Sequence, residues 1–327
     1  MKVRQLIATA AVVALTLVGT AISTGSASAH RDHHARHIHA VAVLGPVPGG
    51  NFLTNVTTSQ SLRYGDVVLE AASDVDGQPY TVDLFASLAY TNGSGPFDGT
   101  ITFTAPGGDS LAFDYHGAAT LNGDGSTTVA GSLNVFSGTG QFAKTTGVGT
   151  VSGSRVAGLP VGSPVTYVID ADIHDGKPAM PKVLAHADEV EHARSGFTVD
   201  LMGIPAERFV TTNPDGRSYG FLRLTGASKF DGVDVTVVDQ VSIAYANGSG
   251  PFNAFITLNA ADGSQLVMAY KGGTKASRSG GAAVNGLLNV IAATGRWAGK
   301  SGTGVMTGTR SGAVGAPLQA TAKITLK

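Results

Sequence analysis

The chain has 327 residues, no cysteine, 45 glycines and only 14% charged residues. The absence of cysteine excludes a disulfide framework, so stability must come from packed apolar cores alone. A near-balanced charge excludes the strongly basic surface that a nucleic-acid partner requires.

The N-terminus reads as an export signal. Lys2 and Arg4 precede an apolar run from Leu6 to Val18, and Ala27-Ser28-Ala29 forms a small-x-small cleavage site. Cleavage after Ala29 predicts a secreted, extracellular chain starting at His30. The apolar run is too short to span a bilayer stably, and no later stretch of about 18 apolar residues follows, so no membrane anchor is expected. Beyond residue 29 there are 20 basic and 23 acidic side chains, a net charge of −3.

Residues 30–40 read as a flexible tail. It holds His30, His33, His34, His37 and His39. Neutral imidazoles bind divalent transition metals, so a loose metal site is one expectation and a solvated tail the other. The spacing matches no closed structural site. No motif calls for a cofactor.

From residue 41 short apolar-polar alternations are bounded by Gly, Asn, Asp and Ser, the pattern of many short strands joined by tight turns. In Leu111-Ala112-Phe113-Asp114-Tyr115 alternation puts Leu111, Phe113 and Tyr115 on one face. Gly107-Gly108-Asp109 and Asn122-Gly123-Asp124-Gly125 read as hairpin turns. The first domain is expected over 41–173, with seven or eight strands. A linker over 174–195 carries Pro178, Pro181 and a helix-compatible stretch from Ala185 to His192.

The second domain, 196–327, repeats the first. Shifted by 155 residues, Tyr64 to Arg155 matches Tyr219 to Arg310 at 38 of 92 positions without a gap. Tyr90-x-Asn92-Gly93-Ser94-Gly95-Pro96-Phe97 returns as Tyr245-x-Asn247-Gly248-Ser249-Gly250-Pro251-Phe252. Leu133-Asn134-Val135 and Thr139-Gly140-x-Phe142-Ala143 return as Leu288-Asn289-Val290 and Thr294-Gly295-x-Trp297-Ala298. A period this long marks duplication of a whole domain rather than a solenoid of short units. The expected fold is all-β, with two tandem eight-stranded antiparallel barrels whose closure removes exposed edges.

The Asn-Gly-Ser-Gly-Pro-Phe block, followed by Gly138-Thr139-Gly140-Gln141-Phe142-Ala143 and Gly147-x-Gly149-Thr150, resembles bacterial relatives of the allene oxide cyclase barrel. Dirigent proteins share that fold. The resemblance covers roughly 250 residues in both copies. It implies an eight-stranded barrel with an apolar cavity, in a family whose plant members steer cyclisation or radical coupling and are usually oligomers. No catalytic residue carries over. The chain lacks the family's Cys, Glu70 stands opposite Thr225, Asp83 opposite Val238 and Asp114 opposite Ala269. If the copies share a chemistry, none of these acids is essential to it; the alternative is an active copy one beside a degenerate copy two.

The polar positions kept in both copies are the candidate ligand contacts: Asn134 and Asn289, Tyr90 and Tyr245, Tyr115 and Tyr270, with Arg155 and Arg310 beside them. Asparagine inside a strand runs against propensity, so these two either hydrogen-bond a ligand in the cavity or tie down a loop. The tyrosines lie on apolar strand faces and read as core rings with satisfied hydroxyls, with a ligand contact as the other reading. Gly-Thr-Gly reads as a tight turn, since a strand follows it and not the helix a phosphate loop needs. Three readings of function stand: a barrel binding a small apolar or aromatic molecule, a cyclase- or isomerase-like enzyme, and a structural or surface-interaction protein with solid barrels. An inward-pointing asparagine beside an ionisable group favours the enzyme, and lumens filled by Phe, Leu and Met favour the structural reading.

Overall fold

The computed structural model describes residues 35–58, 60–75, 77–176 and 195–327. The export signal, His30, His33, His34 and the helix-compatible part of the linker lie outside these residues.

The first copy contains β1 (Arg36–Asn51), β2 (Thr54–Thr57), β3 (Ser61–Val75), β4 (Gln78–Thr91), β5 (Gly95–Thr104), β6 (Ser110–Leu121), β7 (Thr127–Gly138), β8 (Thr145–Arg155) and β9 (Val165–Asp175). Strand β1 pairs with both β9 and β3, so eight strands close into an antiparallel barrel, and β2 extends the edge of β3. The second copy contains β10 (Ser195–Thr212), β11 (Arg217–Phe230), β12 (Val233–Ala246), β13 (Gly250–Ala260), β14 (Gln265–Ala276), β15 (Ala282–Ala293), β16 (Gly302–Arg310) and β17 (Leu318–Leu326), which close in sequence order. Long β10 covers the ground of β1 and β2 together through a register shift between Gly203 and Arg208.

Period-two alternation fills each lumen. Leu111, Phe113 and Tyr115 point inward and are fully buried, as are Leu266, Met268 and Tyr270. The shared motifs now have physical reasons. Asn92 and Gly93 have φ of 50° and 83°, the pair of positive values a type I′ hairpin needs, and Asn247 and Gly248 repeat it at 51° and 76°. Gly95 and Gly250 pass so close to the preceding strand that a Cβ would stand 2.2 Å from the carbonyl oxygen of Ala89 or Ala244. In the Gly-Thr-Gly motif, Thr139 Oγ1 accepts from the Ser110 amide at 2.8 Å and Thr294 Oγ1 from the Gln265 amide at 3.0 Å. A single 3-10 turn follows and drops Phe142 or Trp297 into the barrel end as a plug.

The barrels dock face to face. Several strands at the contact are buried on both sides, as runs such as Gly65–Leu69 and Gln240–Ala246 show. Val68 and Phe85 pack on Phe221, with Phe52 4.9 Å from the Phe221 ring. Val56, Leu62 and Tyr64 pack on Phe255, Val267 and Ala292. Polar ties cross the seam: Tyr64 Oη and Thr257 Oγ1 are 2.8 Å apart, Gln240 Nε2 donates to Phe52 O at 2.8 Å, and Asn213 Nδ2 donates to Ser137 Oγ at 2.7 Å. The contact is close to self-matching. Tyr64 reaches Thr257, while Tyr219, the counterpart of Tyr64, faces Thr102, the counterpart of Thr257.

One acid lies inside this seam. Asp66 is 1% exposed, accepts from Ser87 Oγ and leaves Oδ2 without a partner. Burial, with the nearby Asp239 charge adding, pushes its carboxyl up to about 7.

Candidate functional site

Each barrel keeps a small cavity at the end opposite its aromatic plug, about 40 Å³ in both copies. A loop covers each one: Val161, Gly162 and Ser163 in the first barrel, and Val314, Gly315 and Ala316 in the second. Four of the expected ligand residues come together there. Tyr90 and Tyr115 line the first cavity with Arg155; Tyr245 and Tyr270 line the second with Arg310.

In the first cavity the main polar groups pair with one another, while the buried Arg155 Nε has no partner among the described residues. Tyr115 Oη lies 3.0 Å from Tyr167 Oη, and Arg155 Nη2 donates to Thr127 Oγ1 at 2.8 Å. Burial pushes the Tyr167 phenol up to about 12, so both rings stay neutral. Tyr167→Phe strands the buried Tyr115 hydroxyl and is expected to cost about 1–3 kcal/mol. Urea denaturation checks this, and a variant as stable as the parent shows that the hydroxyl pair contributes nothing.

Many lining positions differ in the second cavity, and among the polar ones Ala119 is replaced by Thr274 and Thr127 by Ala282. Tyr167 is replaced by Ala322 and Leu84 by Asp239. Asp239 alternates with Val237 and Val241 on the inward face of β12, so period two places its carboxyl in the lumen. It is 2% exposed, and its Oδ1 accepts no hydrogen bond. Burial pushes the carboxyl up to about 7. Around it stand Tyr245, whose hydroxyl lies 2.8 Å from Thr274 Oγ1, and Tyr270, whose hydroxyl donates to the Met306 carbonyl at 3.4 Å. Burial, and then the charge of Asp239, raises the Tyr270 phenol. Arg310 sits at the mouth, 5.9 Å from the Tyr245 ring centre, and its Nε donates to Gly312 O at 2.9 Å. The rest of the wall is apolar: Leu222, Leu224, Val241, Ile243, Phe252 and Val284. A lone neutral acid in such a wall donates and accepts hydrogen bonds, and it exchanges a proton near neutral pH.

Three expectations need correction. Asn134 and Asn289 do not enter the lumens. Leu133 and Leu288, their neighbours, point inward, so alternation turns both asparagines to the exposed outer face. The acid that stands in a lumen belongs to copy two, not copy one. Histidines 37 and 39, expected in a flexible tail, belong to β1. Their Nδ1 atoms lie 2.9 Å from Asp172 Oδ1 and 2.6 Å from Asp170 Oδ1 on strand β9. Among the described residues, no group of three or more His, Cys, Asp or Glu is set to hold a metal ion.

Asp239 stands opposite Leu84, so it is absent from the polar positions that both copies share. Its place between Val237 and Val241, on the apolar side of an alternating strand, was the available signal. Compared with known protein families and with curated proteins, the chain matches none.

Proposed function

We propose that this is a secreted binding protein that takes a small, mostly apolar molecule with one hydrogen-bonding group into its second barrel, the first barrel acting as a packed scaffold. The observation that carries this reading is the Asp239 carboxyl, buried in an apolar lumen with an oxygen left unpaired. Such a group costs about 1–3 kcal/mol or more until something pairs with it, and native interiors rarely tolerate that without a use. The ligand's polar group meets Asp239, and its apolar body meets the aliphatic wall. A cavity of about 40 Å³ has room for only about three waters. A larger ligand therefore enters by lifting Val314–Ala316, which form the cover. The glycine motifs that resemble allene oxide cyclase barrels support a lumen site, and we read the chain as a tandem relation of that family.

A second reading has its own support. Asp239 is held where proton transfer at neutral pH is efficient, which suits an isomerase-like step on the same ligand. Binding comes first in either case. Trp297 is the single tryptophan and is buried in the second barrel, so its fluorescence reports on that lumen. Titration with short fatty acids, phenols and cyclic ketones is expected to give saturable changes in the parent and none in Asp239→Leu. If no compound binds, or the variant binds as well as the parent, the second barrel is as solid as the first and the structural reading replaces this one.

A further inference from the structure

A cluster of charged and polar side chains lies outside both lumens, in a cleft of about 590 Å³ between the docked barrels. The outer faces of β5, β6 and β7 form one wall, and β12, β13 and β14 form the other. Its volume falls in the range of small-ligand pockets, about 300–1,000 Å³, whereas the lumens do not.

Side-chain chemistry narrows what such a cleft can hold. His116 is clamped between two acids, its Nδ1 2.6 Å from Asp98 Oδ1 and its Nε2 2.9 Å from Asp114 Oδ2. Lys271 crosses from the second barrel to donate to Asp98 Oδ2 at 3.0 Å. Hydrogen bonds to Asp114 and then Asp98 raise the imidazole to about 10, so it is a cation at neutral pH. Two cations thus face two carboxylates, and the cleft has no net charge with which to draw an ion.

The remaining groups are neutral and able to bond further. Asn134 and Asn253 line opposite walls, and each amide both donates and accepts. At the floor, Thr100 is 2% exposed, and its Oγ1 has no hydrogen-bond partner. A buried, unpaired hydroxyl facing a cleft of ligand size is a group waiting for a partner.

We propose that the cleft between the barrels is a second binding site, for a neutral polyhydroxylated molecule of mono- or disaccharide size. Each hydroxyl of such a ligand donates and accepts at once, matching the mixture of carboxylates, amides and hydroxyl. The docking of the two barrels creates the site, so neither copy alone contains it.

Saturation-transfer NMR and calorimetry on the full chain, with glucose, galactose, mannose, trehalose and cellobiose as probes, test the proposal. At least one neutral sugar is expected to bind, with affinity reduced about five-fold or more in Thr100→Val and in Asn134→Ala. Neither change should lower the melting temperature, because one removes an unpaired hydroxyl and the other an exposed amide. Asp239→Leu should leave sugar binding unchanged, which separates this site from the lumen. The proposal is overturned if no sugar binds at millimolar concentration, if binding survives both substitutions, or if glucuronate or glucosamine binds more tightly than the neutral sugars.

Discussion

Replacing Asp239 with the leucine found at the matching position of the first barrel raises stability at pH 8 by about 4 kcal/mol, while abolishing lumen binding. The reason is linkage. Burial raises the carboxyl from 3.8 in the unfolded chain to about 7 in the folded one. Three units of difference correspond to about 4 kcal/mol. Well below pH 3.8 the group is protonated in both states and contributes nothing. Between pH 4 and 7 the folded protein holds the extra proton, so stability falls as pH rises. Above 7 the whole penalty is present. Asp66 in the seam behaves the same way, with the same endpoints. The parent therefore loses stability from pH 5 to pH 8, and Asp239→Leu and Asp66→Asn each flatten that slope. Chemical denaturation at the two pH values measures it. A leucine variant with the parent's slope, or one less stable at pH 8, shows that Asp239 has a partner that the geometry does not reveal.

The second large effect concerns docking. Phe221→Ala is expected to cost about 3–5 kcal/mol, the usual cost of truncating a buried phenylalanine. Phe221 is buried on the outer face of β11 and packs against Val68, Phe85 and Phe52. Its loss should weaken the seam while sparing both lumens, since no lumen residue touches that cluster. Small-angle scattering should show a larger radius with strand content by circular dichroism unchanged. A variant with the parent's radius and stability would show that the other apolar clusters hold the barrels together without it.

The fold was largely legible in the sequence, and particular residues show why. Alternation in Leu111–Tyr115 and its repeat 155 residues later give a strand and its face directly, because period two is local. The Asn-Gly turns are equally local, since positive φ at both positions selects those residues. The docking of the copies was harder to read, yet it left a trace. Uncharged runs such as Val67–Leu69 and Gln240–Ala246 mark strands covered on both faces. The site was read worst. The asparagines drew attention because they recur, although alternation with Leu133 and Leu288 already turned them outward. Asp239, Asp98 and His116 are not among the expected site residues because none has the same side chain in the other copy, and Asp114 is set aside on that same ground. Residues shared by both copies leave out what makes the copies different.

That difference follows from how the two halves meet. Tyr64 on Thr257 and Tyr219 on Thr102 are the paired contacts of a twofold axis, the arrangement of a symmetric dimer. In a dimer of identical subunits every residue appears twice, so an acid buried in one lumen is buried in both, at double the cost. Joined in one chain, the halves escape that obligation. Asp239 can stand in one lumen while Leu84 fills the other, and Asp66 can face the seam where its counterpart is Phe221. Covalent fusion keeps the geometry of a dimer and releases its halves to diverge.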